Sequence, residues 1–214
     1  MIFLRDSINI YVLADLYIDK INIIRYLPMK DCYKCGYSCE HFASVARNNT
    51  KIIDKCPYLT ELEKKYISIA LRAKEILPNV PVIQSTIKTK TGLLMGKEDS
   101  PIIVTANYPY TQVVLGEVMA KAGINCNVLI IDTDGYSVDM AVYLKIFNGE
   151  RVRSAIEGCR ELDLVKNKVL VIPGLAKEFK EDIEDKTGWK VVVGPICAAE
   201  LPIFLLKSKL IKPI

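Results

Sequence analysis

Four cysteines are spaced in a way that could hold a metal centre. Cys32, Cys35 and Cys39 fall within eight residues, and Cys56 follows after a segment predicted to be helical. Thiolates this close repel one another unless a metal centre takes up their charge. A cubane iron–sulfur cluster is held by four thiolates, so the spacing indicates that these four residues are metal ligands.

Two other interpretations of the cysteines remain open beside a 4Fe-4S cluster. Structural zinc sites usually contain two C-x2-C pairs, and this sequence has one. Four unrelated buried thiols would need apolar neighbours, whereas Tyr, Lys, Gly and Ser separate the first three cysteines. Gly36 lets the loop turn tightly, and Pro57 adds no N–H donor beside Cys56. The pattern therefore favours the cluster, with zinc as the main alternative.

The other three cysteines do not read as ligands. Cys126, Cys159 and Cys197 are far apart in apolar or helical settings, so we expect buried free thiols rather than disulfides. This cysteine usage indicates a reducing cytoplasm. Charges interrupt the apolar runs, which predicts neither a signal peptide nor a membrane span. A net charge of +4 over 214 residues, with no long basic run, does not indicate nucleic-acid binding.

A regular alternation of strands and helices follows Ser100 and Pro101. Continuous apolar runs predict buried strands over 102–105, 128–131, 169–172 and 190–193, each followed by a helix. This pattern is typical of an α/β fold with a doubly wound, mostly parallel sheet covered by helices on both faces.

The first part of the chain predicts a separate, smaller domain. We expect an iron–sulfur cluster domain over 1–62, a helical linker over 63–84 and a Rossmann-like ligand-binding domain over 85–214. The segment from Pro78 to Pro81 would be the boundary and a hinge. Residues 1–18 are apolar and rich in β-formers, and could form a strand or pack on the neighbouring domain.

Two local elements are predicted near this boundary. A helix over 60–77 begins with acidic residues at Glu61 and Glu63 and stops before Pro78. Residues 82–95 alternate polar and apolar types around a turn-forming glycine, which predicts a β-hairpin.

The loops that leave the carboxyl ends of the predicted strands indicate a second site, because ligands of such sheets bind there. These loops are 105–108, 132–135, 173–174 and 194–195. Each alone could be no more than a good turn, but four polar or small loops at one edge favour a ligand site. No GxGxxG or GxxxxGK[ST] motif is present, and two aspartates in the second loop are weak evidence for Mg²⁺.

Acid–base hydrolysis at this edge is disfavoured by the distribution of histidine. His41 is the only histidine, and it lies beside a predicted cluster cysteine. A Ser/His/Asp or Cys/His catalytic group at the sheet edge would need His41 to reach it from the other domain. We therefore expect the sheet edge to hold a cofactor that brings its own chemistry.

These two groups of residues resemble the large (gamma) subunit of the corrinoid/iron–sulfur proteins of the acetyl-CoA synthase/CO dehydrogenase pathway. The part that resembles its iron–sulfur domain is Leu27-Pro28, Cys32-x2-Cys35-Gly36, Cys39-x2-Phe42-Ala43 and Cys56-Pro57. The part that resembles its corrinoid domain is 105–111, 132–138, 172–174, 188–189, 193–195 and 198–202. Two features differ: three residues rather than four separate Cys35 from Cys39, and a short segment replaces the TIM barrel between the domains.

The resemblance implies two cofactors. One is a 4Fe-4S cluster on the four cysteines, and the other is a cobalamin-type corrinoid, bound base-off and without a histidine ligand. The corrinoid-binding residues that it implies are Thr105, Ala106, Asn107, Tyr108, Thr111, Asp132, Thr133, Gly135, Ser137, Val138, Pro173, Gly174, Gly194, Pro195 and Ala198.

The implied function is a methyl-group carrier in C1 metabolism. Cobalt would cycle between Co(I) and methyl-Co(III), with the cluster reductively reactivating Co(II). Such a protein is a methyltransferase component rather than a stand-alone catalyst, with a methyltransferase or acetyl-CoA synthase-type partner and an electron donor such as ferredoxin. The alternatives are an iron–sulfur electron-transfer or cofactor-assembly protein with another ligand at the sheet edge, and a zinc-stabilised binding module.

Overall fold

A five-stranded mixed sheet lies at the centre of the computed structural model, which describes residues 13–82 and 86–212. Its strands are β1 (Gly92–Leu94), β2 (Ile102–Ala106), β3 (Asn127–Ile131), β4 (Val169–Ile172) and β5 (Lys190–Val193). Their spatial order is β1-β3-β2-β4-β5. The last four strands run parallel, and β1 pairs antiparallel with β3 at one edge. The predicted α/β class is confirmed.

Helices cover both faces of this sheet. The α-helices are α1 (Cys39–Asn48), α2 (Glu61–Leu71), α3 (Ala73–Ile76), α4 (Pro109–Ala122), α5 (Val138–Tyr143), α6 (Gly149–Glu157), α7 (Lys180–Thr187) and α8 (Leu201–Lys207). Short 3-10 helices span Ile18–Lys20, Ile23–Tyr26, Thr50–Lys55, Arg160–Leu164, Gly174–Phe179 and Ala198–Glu200. In the described ranges, no helix combines the length and the apolar character needed to cross a bilayer.

The two faces of the sheet pack against different helices because successive strand residues point to opposite sides. On β2, Ile102 and Val104 belong to a core that includes Ile183 of α7. Ile103 between them packs in a second core, with Leu115 of α4. Both faces are therefore buried, which explains why β2 reads as a continuous apolar run rather than as an alternation.

The N-terminal region packs on the face that carries α4 and α8. Its core includes Ile67 and Ala70 of α2 together with Val114 and Val118 of α4 and Ile203 of α8. Apolar burial is thus continuous from the cysteine-containing region to the sheet. The proposed division into domains remains a prediction, but the two regions share this core in the structure.

An ion pair with a buried carboxylate also connects the N-terminal region to the segment before α8. The Glu200 carboxylate is fully buried and accepts hydrogen bonds from the Arg25 guanidinium at 2.7 and 2.8 Å. The backbone N–H of Asn22 donates to the same carboxylate at 3.1 Å. A buried carboxylate must be paired, so Glu200 stabilises the fold only while the N-terminal region is in place.

The predicted helix over 60–77 is present but interrupted. It begins with a capping box, in which the Thr60 N–H donates to the Glu63 carboxylate at 2.7 Å and the Glu63 N–H donates to the Thr60 hydroxyl at 3.3 Å. The chain leaves helical geometry at Arg72, where φ is −95° and ψ is 22°, so α2 and α3 are separate.

The predicted hairpin over 82–95 is wrong for the described part of that range, and 83–85 lie outside it. Residues 86–91 have no regular secondary structure. Residues 92–94 form β1, which pairs with the remote edge strand β3. The Thr89 N–H donates to the Asn107 carbonyl at 2.9 Å, so the residues before β1 cross the β2–α4 loop instead of forming a partner strand.

Candidate functional site

The four predicted ligand cysteines line one pocket. Cys32, Cys35, Cys39 and Cys56 share it with Leu27, Pro28, Lys30, Tyr37, Phe42, Pro57 and Tyr58. Within the described residues, no three His, Cys, Asp or Glu side chains form a ready metal-binding group. The structure thus brings the four thiols to one place without arranging the sulfurs as a finished ligand shell.

Helix α1 positions the third cysteine. Cys39 is its first residue, and the Ser38 hydroxyl caps the helix by accepting from the His41 N–H at 3.3 Å. The Cys39 N–H donates to the Asp31 carboxylate at 2.6 Å, which ties the helix start to the preceding loop. Cys39 thus lies at the N-terminal end of α1, where the helix dipole is positive.

The fourth cysteine arrives from a different element. Cys56 ends the 3-10 helix Thr50–Lys55, and its N–H donates to the Ile53 carbonyl at 3.2 Å. It is buried, unlike the three cysteines of the loop, which are partly exposed. Cys56 is therefore the fixed side of the pocket, and the loop is the adaptable side.

The backbone of the cysteine loop adopts unusual conformations. Met29, Asp31 and Tyr33 have positive φ values of 51°, 43° and 55°, and Gly36 has 89°. For non-glycine residues this region is sparsely populated, with a cost on the order of 1 kcal/mol or more per residue. Three such residues at alternate positions indicate a loop shaped for function, since strain of this kind clusters at ligand sites.

A second cavity, of about 370 Å³, lies at the carboxyl ends of the parallel strands. It opens where the chain crosses from one side of the sheet to the other, between β2 and β4. This is the switch point at which ligands of doubly wound sheets bind. The described residues that line it are largely apolar or aromatic and include no lysine, arginine or histidine.

The predicted corrinoid-binding residues divide into two groups. Those that line the cavity are Thr105, Tyr108, Thr111, Ser137, Val138, Pro173, Pro195 and Ala198. Those that do not line it are Ala106, Asn107, Asp132, Thr133, Gly135, Gly174 and Gly194. The second group lies in the same loops, and most of its members support the shape of the cavity edge.

Asn107 organises the loop after β3. Its side-chain oxygen accepts from the N–H groups of Thr133 and Gly135 at 2.9 and 3.1 Å and from the Thr133 hydroxyl at 2.9 Å. Its amide nitrogen donates to the Asp132 carboxylate at 2.9 Å. Asn107 and Thr133 are buried, so these bonds hold two strand ends together rather than face a ligand.

The aspartates of this loop are engaged in ion pairs. The Arg151 guanidinium lies 3.2 Å from Asp132 and 2.8 Å from Asp134, and the Lys88 ammonium lies 3.1 Å from Asp134. The hydrogen bond from Lys88 and the charge of Arg151 lower the pKa of Asp134. Both carboxylates are therefore paired with basic side chains in the structure.

Gly174 and Gly194 are required by close packing of the loops after β4 and β5. The Gly174 N–H donates to the Pro195 carbonyl at 2.9 Å. A Cβ on Gly174 would lie 2.8 Å from the Gly194 carbonyl oxygen. A Cβ on Gly194 would lie 3.0 Å from the Ile172 carbonyl oxygen, so the two glycines permit the close approach of these loops.

Part of the cavity wall comes from residues that the sequence did not indicate. Residues 14–17 and 80–82 line the cavity from the N-terminal region. The Ala14 N–H donates to the Val80 carbonyl at 2.8 Å, and Leu13 forms an isolated bridge with Pro81. The apolar, β-rich character of 1–18 was the only signal; 1–12 lie outside the described residues.

The remaining cysteines are buried free thiols, as predicted. Burial raises the pKa of Cys126 and that of Cys197 to about 11, and it also raises the pKa of Cys159. Protonated thiols of this kind behave as small apolar residues.

Comparison with known proteins identifies a family. The family described as the CO dehydrogenase/acetyl-CoA synthase delta subunit matches residues 19–205. The matched range contains all four predicted ligand cysteines and every predicted corrinoid-binding residue.

Individual relatives are gamma subunits of the acetyl-CoA decarbonylase/synthase complex. The Methanopyrus kandleri protein is 43% identical over 115 residues, which are 54% of this chain and 25% of that protein. The Methanocaldococcus jannaschii protein is 36% identical over 108 residues, 50% of this chain and 22% of that protein. The Methanothermobacter thermautotrophicus protein is 34% identical over 110 residues, which are 51% of this chain and 24% of that protein. The chain thus spans about a quarter of the length of these relatives.

Proposed function

Because the chain belongs to the family of the CO dehydrogenase/acetyl-CoA synthase delta subunit, we propose that it is a corrinoid- and iron–sulfur-dependent methyl-group carrier. Its relatives are subunits of a complex of the acetyl-CoA pathway, so protein partners are implied. The observation that carries the proposal is the presence in one chain of a pocket with four thiols and a cavity at the switch point of an α/β sheet.

The chemistry of the sheet-edge cavity fits a corrinoid. A corrin is a flat, largely apolar macrocycle with amide groups on its rim, so it needs apolar walls and neutral hydrogen-bonding partners. Thr105, Thr111 and Ser137 supply hydroxyls among apolar lining residues. Lysine and arginine are absent from the described lining, which disfavours a phosphorylated nucleotide. Histidine is absent as well, so we expect base-off binding without a protein nitrogen on cobalt.

The donor set of the cysteine pocket fits an iron–sulfur cluster. Cys32, Cys35, Cys39 and Cys56 supply four thiols, the number that a cubane cluster uses. The positive end of the α1 dipole at Cys39 is a suitable place for a negatively charged metal centre. The loop before it would need to adjust around the metal centre, and its strained backbone is the part of the pocket that can do so.

The two cofactors would give the sheet-edge cavity and the cysteine pocket different roles. When bound, the corrinoid would supply a cobalt centre that accepts and donates a methyl group, and the cluster would supply the single electron that restores its reactive state. The chain itself would position both groups and limit water at the sheet edge. We infer a methyltransferase component that works with a methyltransferase or acetyl-CoA synthase-type partner and an electron donor such as ferredoxin.

Reconstitution under anaerobic conditions tests the proposal. The full chain is incubated with iron, sulfide and cobalamin, freed of unbound cofactor, and examined by visible spectroscopy and metal analysis. We expect cluster absorption together with retained corrin bands. Cluster absorption without corrin would favour an electron-transfer or cofactor-assembly protein. A colourless zinc protein would favour the zinc-stabilised binding module and refute the proposal.

A further inference from the structure

One wall of the sheet-edge cavity is built by the segment Ala14–Tyr17, which lies before the range matched by the family. The segment is fixed at its start by the hydrogen bond from the Ala14 N–H to the Val80 carbonyl, 2.8 Å long. Residues 80–82 form the wall beside it. The N-terminal region therefore contributes to a cavity whose other walls belong to the sheet and its helices.

Tyr17 is held in an uncommon backbone conformation at the end of this segment. Its φ is 57°, and its N–H donates to the Asp15 carboxylate at 2.7 Å. Tyr17 occupies the N-cap position of the 3-10 helix Ile18–Lys20. A tyrosine in the left-handed region is strained, so the surrounding contacts must over-determine its position.

Tyr17 shares the cavity with polar groups at the start of α5. Tyr17, Ser137 and Asp139 all line the cavity. Burial, followed by the charge of Asp139, raises the pKa of Tyr17 to about 12. Asp139 accepts a hydrogen bond from the Ser137 hydroxyl. The cavity wall thus contains polar groups from the N-terminal region and from the start of α5.

We propose that Ala14–Tyr17 is a retaining wall of the ligand site, in which Tyr17 and Asp139 line the cavity from two different regions of the chain and slow the release of the bound ligand. The inference rests on the proposed function, because the ligand is taken to be a corrinoid. Asp15 and Asp139 are the charged groups on the rim, and the described lining offers them no cation. A neutral ligand enclosed by aromatic and carboxylate groups is compatible with that rim, whereas an anionic ligand is not.

The rate of ligand release from the full chain tests this role. Cobalamin is bound anaerobically, and its dissociation is followed by the change in its visible spectrum after dilution into a competing apo-protein. We expect Tyr17→Ala to raise the dissociation rate constant about tenfold or more, because it removes the aromatic part of the wall, and Tyr17→Phe and Asp139→Asn to raise it about threefold to tenfold, the range for the loss of one polar interaction with the ligand. Tyr143→Ala is the matched control, since Tyr143 is 79% exposed and does not line the cavity.

The outcomes separate the two proposals. If the unmodified protein binds no cobalamin, the proposed function fails, and this inference fails with it. If the unmodified protein binds cobalamin and all three variants release it at the unmodified rate, the retaining wall is refuted while the corrinoid site stands. Thermal unfolding of each variant confirms that it is folded; should Tyr17→Ala not fold, the two conservative variants decide the question alone.

Discussion

The cysteine pocket and the sheet-edge cavity differ in how their walls are supported. The cysteine pocket is built from one stretch of chain, residues 27–58, and its loop contains three non-glycine residues with positive φ. The cavity is built from separate segments that are fixed by strands and helices of the sheet. Its volume is about 370 Å³. In small metal-binding loops, folding is coupled to metal binding, whereas ligand cavities at the ends of packed sheets are usually preformed.

Removal of one predicted cluster ligand should give the largest effect. Cys56→Ala deletes the buried sulfur on the fixed side of the pocket, so we expect loss of most of the iron and of the visible cluster absorption. The N-terminal region should also lose stability, because metal binding and folding are coupled. Iron analysis and thermal unfolding of anaerobically reconstituted protein provide the measurement.

Cys126→Ala is the control for this substitution. Cys126 is equally a buried thiol but lies outside the pocket, so this variant should retain its iron. Full iron content in Cys56→Ala would contradict the ligand assignment and would direct attention to His41. Corrinoid affinity should change little in either variant if the cavity is preformed.

Substitution of Asn107 tests how the edge of the sheet-edge cavity is supported. Asn107→Ala leaves the buried N–H groups of Thr133 and Gly135 without their acceptor, so we expect a loss of about 2 kcal/mol of unfolding free energy. Corrinoid affinity should fall because the loop after β3 borders the cavity. Urea unfolding and a cobalamin titration measure the two effects.

Asn167→Ala is the matched control for Asn107→Ala. The side-chain amide of Asn167 donates one exposed hydrogen bond, 3.2 Å long, to the Asp99 carbonyl. Its substitution should change the unfolding free energy by about 0.5 kcal/mol at most. If Asn107→Ala were no more costly than this control, the cavity edge would not depend on the buried amide network.

The sequence predicted those parts of the molecule that depend on local pattern. Four strands were located to within about one residue, because buried parallel strands are continuous apolar runs bounded by turn residues. The cysteine pocket was found from spacing alone. Residues 60–77 were predicted to be helical. The break at Arg72 was not predicted, because no Pro or Gly marks it in the sequence.

What the sequence missed depends on contacts between distant segments. The strand β1 was predicted as half of a hairpin, because an alternating pattern indicates a strand but not its partner. In the structure the partner of β1 is β3. Tyr17 could not be assigned to the cavity, since only the packing of Ala14 against Val80 brings it there. Asn107 was selected as a ligand residue from its loop, and its buried hydrogen bonds became apparent only from the paired strand ends.

The smallest expected effect concerns the ion pairs on the outer side of the cavity edge. Lys88 and Arg151 lower the pKa of Asp134 in the folded state below its ordinary value of 3.8. A carboxyl with a lowered folded pKa contributes stability that is present above its unfolded pKa and is lost as the pH falls through the folded pKa. The three side chains are about 36–53% exposed, so solvent screening keeps the contribution below about 1 kcal/mol. Asp134→Asn should therefore reduce the unfolding free energy slightly at pH 7 and by less below pH 3.8, as measured by urea unfolding at both pH values. An equal loss at both pH values would show that Asp134 acts through the shape of its turn, where its φ is 57°, rather than through its charge.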